Sequence, residues 1–277
     1  MFGTLAKEST PLPVDETHPE QDDSPLLGLN DHNKFQMLMD MLQWMVTVGK
    51  PDLSVTVASF NRFGSCPRER HLQLAIRVFG YIKTITYKQI SIDSRPMDFN
   101  RDTPDFQKLR PDFLQDYPDA TEELDANFPN MFVPVLQSIF LVDSNHAHDK
   151  VTRKSLTGFI GFVGSIPITW GSKRQGSIAS STYATEFSTM CTAIEEAIGL
   201  CYMILCLGCN VPTDRSYPTC IFGNNLSVIL NAQNPAADLS KKHVAISFHV
   251  VREAIAAGVT TTYWLKCEWN LSDIMTK

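Results

Sequence analysis

Apolar residues first fall into register at Phe35, Leu38, Met39, Leu42 and Met45/Val46, the three- and four-residue steps of one helical face. Asp31 stands where a cap would open that helix. A turn at Gly49-Lys-Pro-Asp52 leads to a second apolar face through Val55, Val57, Ala58 and Phe60. Cys66-Pro-Arg-Glu then opens a third, carrying Leu72, Ala75, Ile76, Phe79 and Ile82. The pattern predicts a small module of three helices within 32–97. On either side the periodicity disappears. Residues 1–31 are rich in Pro, Asp, Glu and Ser and read as a disordered acidic tail. Residues 98–134 hold Pro104, Pro111, Pro118, Pro129 and Pro134 among acids, which reads as a linker or surface insertion.

From Leu136 the period changes. Leu136–Val142 is an apolar run ending at Asp143, Thr157–Val163 is rich in β-formers, and Pro167–Trp170 is a third short strand. Phe187, Met190, Cys191, Ile194, Ile198, Cys201 and Leu205 mark the inner face of a long helix from about Tyr183 to Leu207. Thr219–Phe222 and Thr260–Leu265 read as strands. Leu226–Ala232 and Val244–Ala257 read as helices, and Leu271–Lys277 as the first turns of another. The order β-β-β-α-β-α-α-β-α predicts an α/β layer fold with a mixed five-stranded sheet and flanking helices over 135–277.

Composition narrows the class without naming a function. No apolar run reads as a membrane span, and the N-terminus lacks the basic start and apolar core of a signal peptide, so the chain is expected to be intracellular, in cytoplasm or nucleus. Seven cysteines without a short secreted framework read as reduced thiols, and Cys206-Leu-Gly-Cys209 as buried small apolar residues rather than a metal site. The net charge of −6 is uneven: residues 1–31 carry seven acids against one lysine, and 98–128 nine acids against three bases. The rest is mildly basic, which suits a nucleic-acid partner.

Four polar positions then stand out at element ends: Asp143 after the first strand, Glu186 in the first helix, Asn224 after the Thr219–Phe222 strand, and Asp273 opening the last helix. Acids converging over a sheet edge suit two-metal phosphodiester hydrolysis, in which two Mg²⁺ about 4 Å apart need several anionic oxygens. Single acids at element ends also serve as caps.

The residues around them are more specific. Phe140-Leu-Val-Asp143-Ser-Asn-His-Ala-His-Asp149, Thr152-Arg-Lys-Ser155 and Gly158 are followed by Pro167-Ile-Thr-Trp170 with Ser172-Lys-Arg-Gln175. Then come Ser180-Ser-Thr-Tyr-Ala-Thr-Glu186-Phe187, Phe222-Gly-Asn-Asn225, Lys241 through Glu253 and Asn270-Leu-Ser-Asp273-Ile-Met-Thr-Lys277. These ordered blocks closely resemble the ribonuclease H domain of copia-type LTR retrotransposon Pol polyproteins. Gly49-Lys-Pro-Asp52-Leu-Ser, Phe60-Asn-Arg-Phe63 and His71 through Lys83 resemble the reverse-transcriptase thumb or connection segment that precedes it. No Tyr-x-Asp-Asp polymerase box occurs, so the resemblance is to the C-terminal third of Pol, and Met1 is expected to begin a fragment. The family runs on past Lys277 by a short helix, so the domain reads as C-terminally truncated.

The resemblance implies a ribonuclease H-like fold, two Mg²⁺ or Mn²⁺ ions, and RNA–DNA hybrid as substrate, with the remainder of a reverse transcriptase as partner. It makes Asp143, Glu186 and Asp273 metal ligands and places Asn224 where the family has a fourth, catalytic aspartate. Three charges instead of four predict weak metal loading and little hydrolysis. Asn145 is a second departure, standing where the family has an Asp that is no metal ligand. A non-catalytic nucleic-acid- or polymerase-binding module, or an inactive remnant, is the alternative. Lys173, Arg174, Gln175, Lys241, Lys242, His243 and His249 are candidate nucleic-acid contacts, the histidines being either proton shuttles or part of a phosphate-facing helix surface. Trp170 reads as core rather than as a base-stacking platform.

Overall fold

A computed structural model describes residues 6–13, 18–85, 90, 92, 117, 119–120, 129, 136–209, 218–234 and 244–277. Most of 98–134, together with Lys241, Lys242 and His243, lies outside these residues.

The helical module forms as the periodicity predicts: α1 (Leu29–Val48), α2 (Ser54–Asn61) and α3 (Glu69–Thr84). Phe35, Leu38, Leu42, Leu53, Phe60, Ala75 and Val78 are fully buried between them. Helix α1 starts two residues before Asp31, with Gly28 at the cap, so Asp31 lies in its first turn, where a negative charge meets the helix dipole. The acidic segment before it is not wholly a free tail. Leu26 bridges Arg68, Leu27 donates to the Pro67 carbonyl, and the buried His71 ring meets the Pro19 carbonyl at 2.9 Å. Polar contacts through both backbone and side chains, rather than apolar periodicity, hold this stretch, which is why its composition misleads.

The second module is the expected mixed five-stranded sheet with flanking helices. Strands β1 (Ser138–Asn145), β2 (Leu156–Val163) and β3 (Ile166–Arg174) form an antiparallel meander; β4 (Thr219–Gly223) and β5 (Thr260–Trp264) run parallel to β1, giving the order β3-β2-β1-β4-β5. Gly164, at φ 60°, supplies the left-handed residue in the two-residue turn between β2 and β3. Strand β1 is central and buried on both faces. Helices α4 (Thr182–Cys206), α5 (Leu226–Gln233) and α6 (Ala245–Ala256) cover one face through Phe187, Met190, Ile194, Ile229, Phe248 and Val251. By length and composition α4 could cross a membrane, a property missed in the apolar-run reading, but its apolar side covers the sheet.

The other face holds Ile139, Leu141, Ile160, Phe162 and Phe222, closed by Leu265 and Met275. Met275 belongs to a 3₁₀ turn, Leu271–Met275, where the first turns of an α-helix were expected. Gly158 makes that closure possible. Opposite Asp143 in the ladder, it would place a Cβ 2.6 Å from Thr276 Cγ2 and 2.7 Å from Met275 Cβ.

Trp170, expected in the core, is only partly buried and lies at the edge of two cores, one from each module. It packs against the helical core and the far face of the sheet, and its Nε1 donates to the Val46 carbonyl at 2.8 Å. The junction is completed by Asp149, 1% exposed, which accepts from Arg62 of the helical module and from Arg174 of β3 at 3.1 Å. Burial pushes this carboxyl upward, but the Thr152 hydrogen bonds and the Arg62 charge outweigh it and hold it well below the usual range. All seven cysteines are free; Cys206 is exposed and Cys209 half-buried, so neither is the fully buried residue expected.

Two glycines should therefore respond oppositely to alanine. Gly158→Ala should destabilise by about 1–3 kcal/mol, because the last turn must move off the sheet. Gly199→Ala, exposed inside α4 with nothing within 4 Å, should stabilise by about 0.5–1 kcal/mol. Urea unfolding midpoints check both; equal shifts of one sign would contradict the packing at Gly158.

Candidate active site

The fold brings all four polar positions to one end of the sheet. Asp143 lies near the end of β1. Because β4 runs parallel to β1 with Val142 opposite Gly223, Asn224 emerges beside it. Glu186 lies just inside α4, whose start is fixed by Ser181 accepting from the Ala184 backbone N–H. Asp273 sits on the last turn, where Asn270 caps the turn by accepting from Ser272 and also donates from Nδ2 to the Val142 carbonyl at 2.8 Å. That bond ties the turn to the strand one residue before Asp143. Asn145 adds a second tie, donating to the Thr276 carbonyl at 3.0 Å.

Asp143 is 4% exposed, and both its oxygens are engaged. Asn224 Nδ2 donates to Oδ1 at 2.9 Å, and the Thr276 hydroxyl donates to Oδ2. A carboxylate only accepts, so the amide must turn its NH₂, not its carbonyl, toward it. The Trp264 indole holds Asn224 in place by donating to its backbone carbonyl at 3.1 Å. Both Asp273 oxygens accept from Lys277 Nζ, at 2.7 and 2.6 Å.

These environments set the charges. Burial raises the Asp143 carboxyl, opposed by the Thr276 and Asn224 hydrogen bonds, while Asp273 adds a smaller upward push. Burial and then the Asp143 charge push Glu186 up to about 8. Three acids and an amide thus share one neighbourhood, yet among the described residues no three His, Cys, Asp or Glu side chains converge closely enough to hold a metal ion. The oxygens of Asp143 and Asp273 are turned to donors of the chain itself. As arranged, the residues do not fit two divalent ions.

The nucleic-acid candidates separate. Lys173 is exposed. Arg174 is ion-paired with Asp149. Gln175 is a correction: it is 8% exposed and its amide bonds Thr157, Thr189 and the Thr185 carbonyl inside the fold, so it joins the β3 end to α4 and does not reach solvent. His249 is exposed and pairs with the Tyr117 hydroxyl at 2.8 Å, a contact from within the acidic insertion. Asn270, Thr276 and Lys277 went unassigned at the sequence level, although they lie in the same short block as Asp273.

No family model matches the chain. Its homologues are retrovirus-related Pol polyproteins from Arabidopsis thaliana: that of transposon RE1 is 23% identical over 249 residues, and that of transposon RE2 26% identical over 253. Each alignment covers 90% of this chain but 14% of the relative's length. Among solved structures, RNase H1 from Halobacterium salinarum is 14% identical with a TM-score of 0.35, over 50% of this chain and 89% of that one. The foamy viral protease-reverse transcriptase in complex with RNA/DNA hybrid is 11% identical with a TM-score of 0.39, over 87% of this chain and 27% of that one.

Glu186 makes the metal-free protein pH-sensitive. Its carboxyl ionises near 4.5 when unfolded but keeps its proton to about 8 when folded. The contribution of Glu186 to folding stability is therefore full below pH 4.5 and is lost as pH rises toward 8. In chelator, Glu186→Gln should raise Tm over wild type by on the order of 5 °C at pH 8, with the gap closing near pH 4. An equal gap at both pH values would contradict this environment for Glu186.

Proposed function

We propose that this chain is a Pol-derived ribonuclease H-like module that engages RNA–DNA hybrid and hydrolyses it poorly, alongside the remainder of a reverse transcriptase. Three things support the reading: the ordered motifs from Phe140 to Lys277, the order and direction of the five strands, and the homology to transposon Pol polyproteins. Because the chain spans only 14% of those relatives, polymerisation and the other Pol activities are not assigned to it.

The observation that carries the impairment is the bond from Asn224 Nδ2 to Asp143 Oδ1. An aspartate at 224 would place a second anion beside Asp143, and the two would need a cation between them. Asparagine removes that need by donating a hydrogen bond. The pair is then satisfied internally, and drawing Asp143 into metal coordination would strand the amide donor and break a buried hydrogen bond, at a cost of about 1–3 kcal/mol. Exposed Lys173 remains available to contact backbone phosphate, which does not require the metal.

Cleavage of a labelled RNA–DNA hybrid in Mg²⁺ and in Mn²⁺ tests this. Wild type should stay near background, while Asn224→Asp should cleave at least about tenfold faster, the equivalent of 1.4 kcal/mol. Hybrid binding measured by fluorescence anisotropy in chelator should persist and weaken with salt. Robust wild-type cleavage that is lost in Asp143→Asn would overturn the proposal.

A further inference from the structure

We propose that Lys277 is a built-in cation of this site, its ammonium occupying the Asp273 seat in competition with a divalent ion. The inference rests on the reading of Asp273 as a metal seat and deepens it. One ammonium bonds both oxygens of Asp273, at 2.7 and 2.6 Å, which is the bidentate approach a cation makes to a carboxylate. The same positive charge acts on Asp143 across the site. Asp143 in turn has both oxygens engaged by Asn224 and Thr276. With Glu186 holding its proton, the carboxylates of Asp143 and Asp273 and the one ammonium leave a formal charge of about −1 to face an incoming divalent ion.

The lysine is placed to compete rather than to seal. Its side chain is 64% exposed, its stem is flexible, and the pair is an i,i+4 contact on a short turn. Exposed pairs of this kind are individually weak, so a divalent ion can displace the ammonium, and the competition is graded. Asp273 itself is held by the Asn270 tie to β1, so removing the lysine should leave the carboxylate where it stands.

Binding of Mn²⁺ to the full 277-residue chain, followed by the electron paramagnetic resonance of free Mn²⁺ at low salt, reads this directly. Lys277→Met should bind Mn²⁺ about three- to tenfold tighter than wild type. Lys277→Arg, which keeps the charge, should stay close to wild type. Placed on Asp273→Asn, the Met substitution should change nothing. Equal Mn²⁺ affinity in wild type and Lys277→Met, or no Mn²⁺ bound by either at millimolar concentration, would overturn the inference. Circular dichroism of each variant establishes that it is folded. Hybrid cleavage by Asn224→Asp reports on the nuclease reading separately, so the two can fail independently.

Discussion

A carboxylate buried at the end of a central strand has to find hydrogen-bond donors or a cation, and Asp143 finds donors. Leaving it unpaired at 4% exposure would cost several kcal/mol or force it to take a proton. Its partners come from two other parts of the chain, Asn224 after β4 and Thr276 after the last turn. Satisfying one side chain therefore joins three segments far apart in sequence. Gly158 leaves room for the last turn to approach, and Asn270 and Asn145 pin that turn to β1. The motifs in the sequence lead one to expect metal at this end of the sheet. Here the protein's own amide, hydroxyl and ammonium groups meet the acids.

The two modules share this economy of polar contacts. Asp149, nearly inaccessible, gathers Arg62, Arg174 and Thr152, while Trp170 lends its ring to two cores and its N–H to α1. The helical module thus lies against the open side of the sheet, with contacts reaching the turn that carries Asp273. Whatever fixes that turn acts on the site, so the helical module belongs to the site's scaffold.

Much of the fold was legible in the sequence because its core follows simple periods. Phe35 to Val46 steps by three and four, and the runs around Phe140, Phe159 and Ile221 are short and apolar between turn residues. The site acids were legible because each ends an element inside a recognisable block. What escaped was polar and long-range. Gln175 reads as a surface residue beside Lys173 and Arg174, and only tertiary packing turns it inward. Residues 18–28 dock through backbone and side-chain polar contacts, which leave no trace in hydropathy. The donors to Asp143 could not be read either, since pairing across more than eighty positions is a property of the sheet order.

The central claim is that Asn224 meets Asp143 as a hydrogen-bond donor and that this site does not hold two divalent ions. Crystals of the wild-type chain grown with Mn²⁺ and hybrid, measured at the manganese edge, test it most directly. The account predicts Asn224 Nδ2 within hydrogen-bond distance of Asp143 Oδ1 and no pair of anomalous peaks among Asp143, Glu186 and Asp273. Two peaks about 4 Å apart, with Asn224 turned to offer its carbonyl oxygen, would contradict it.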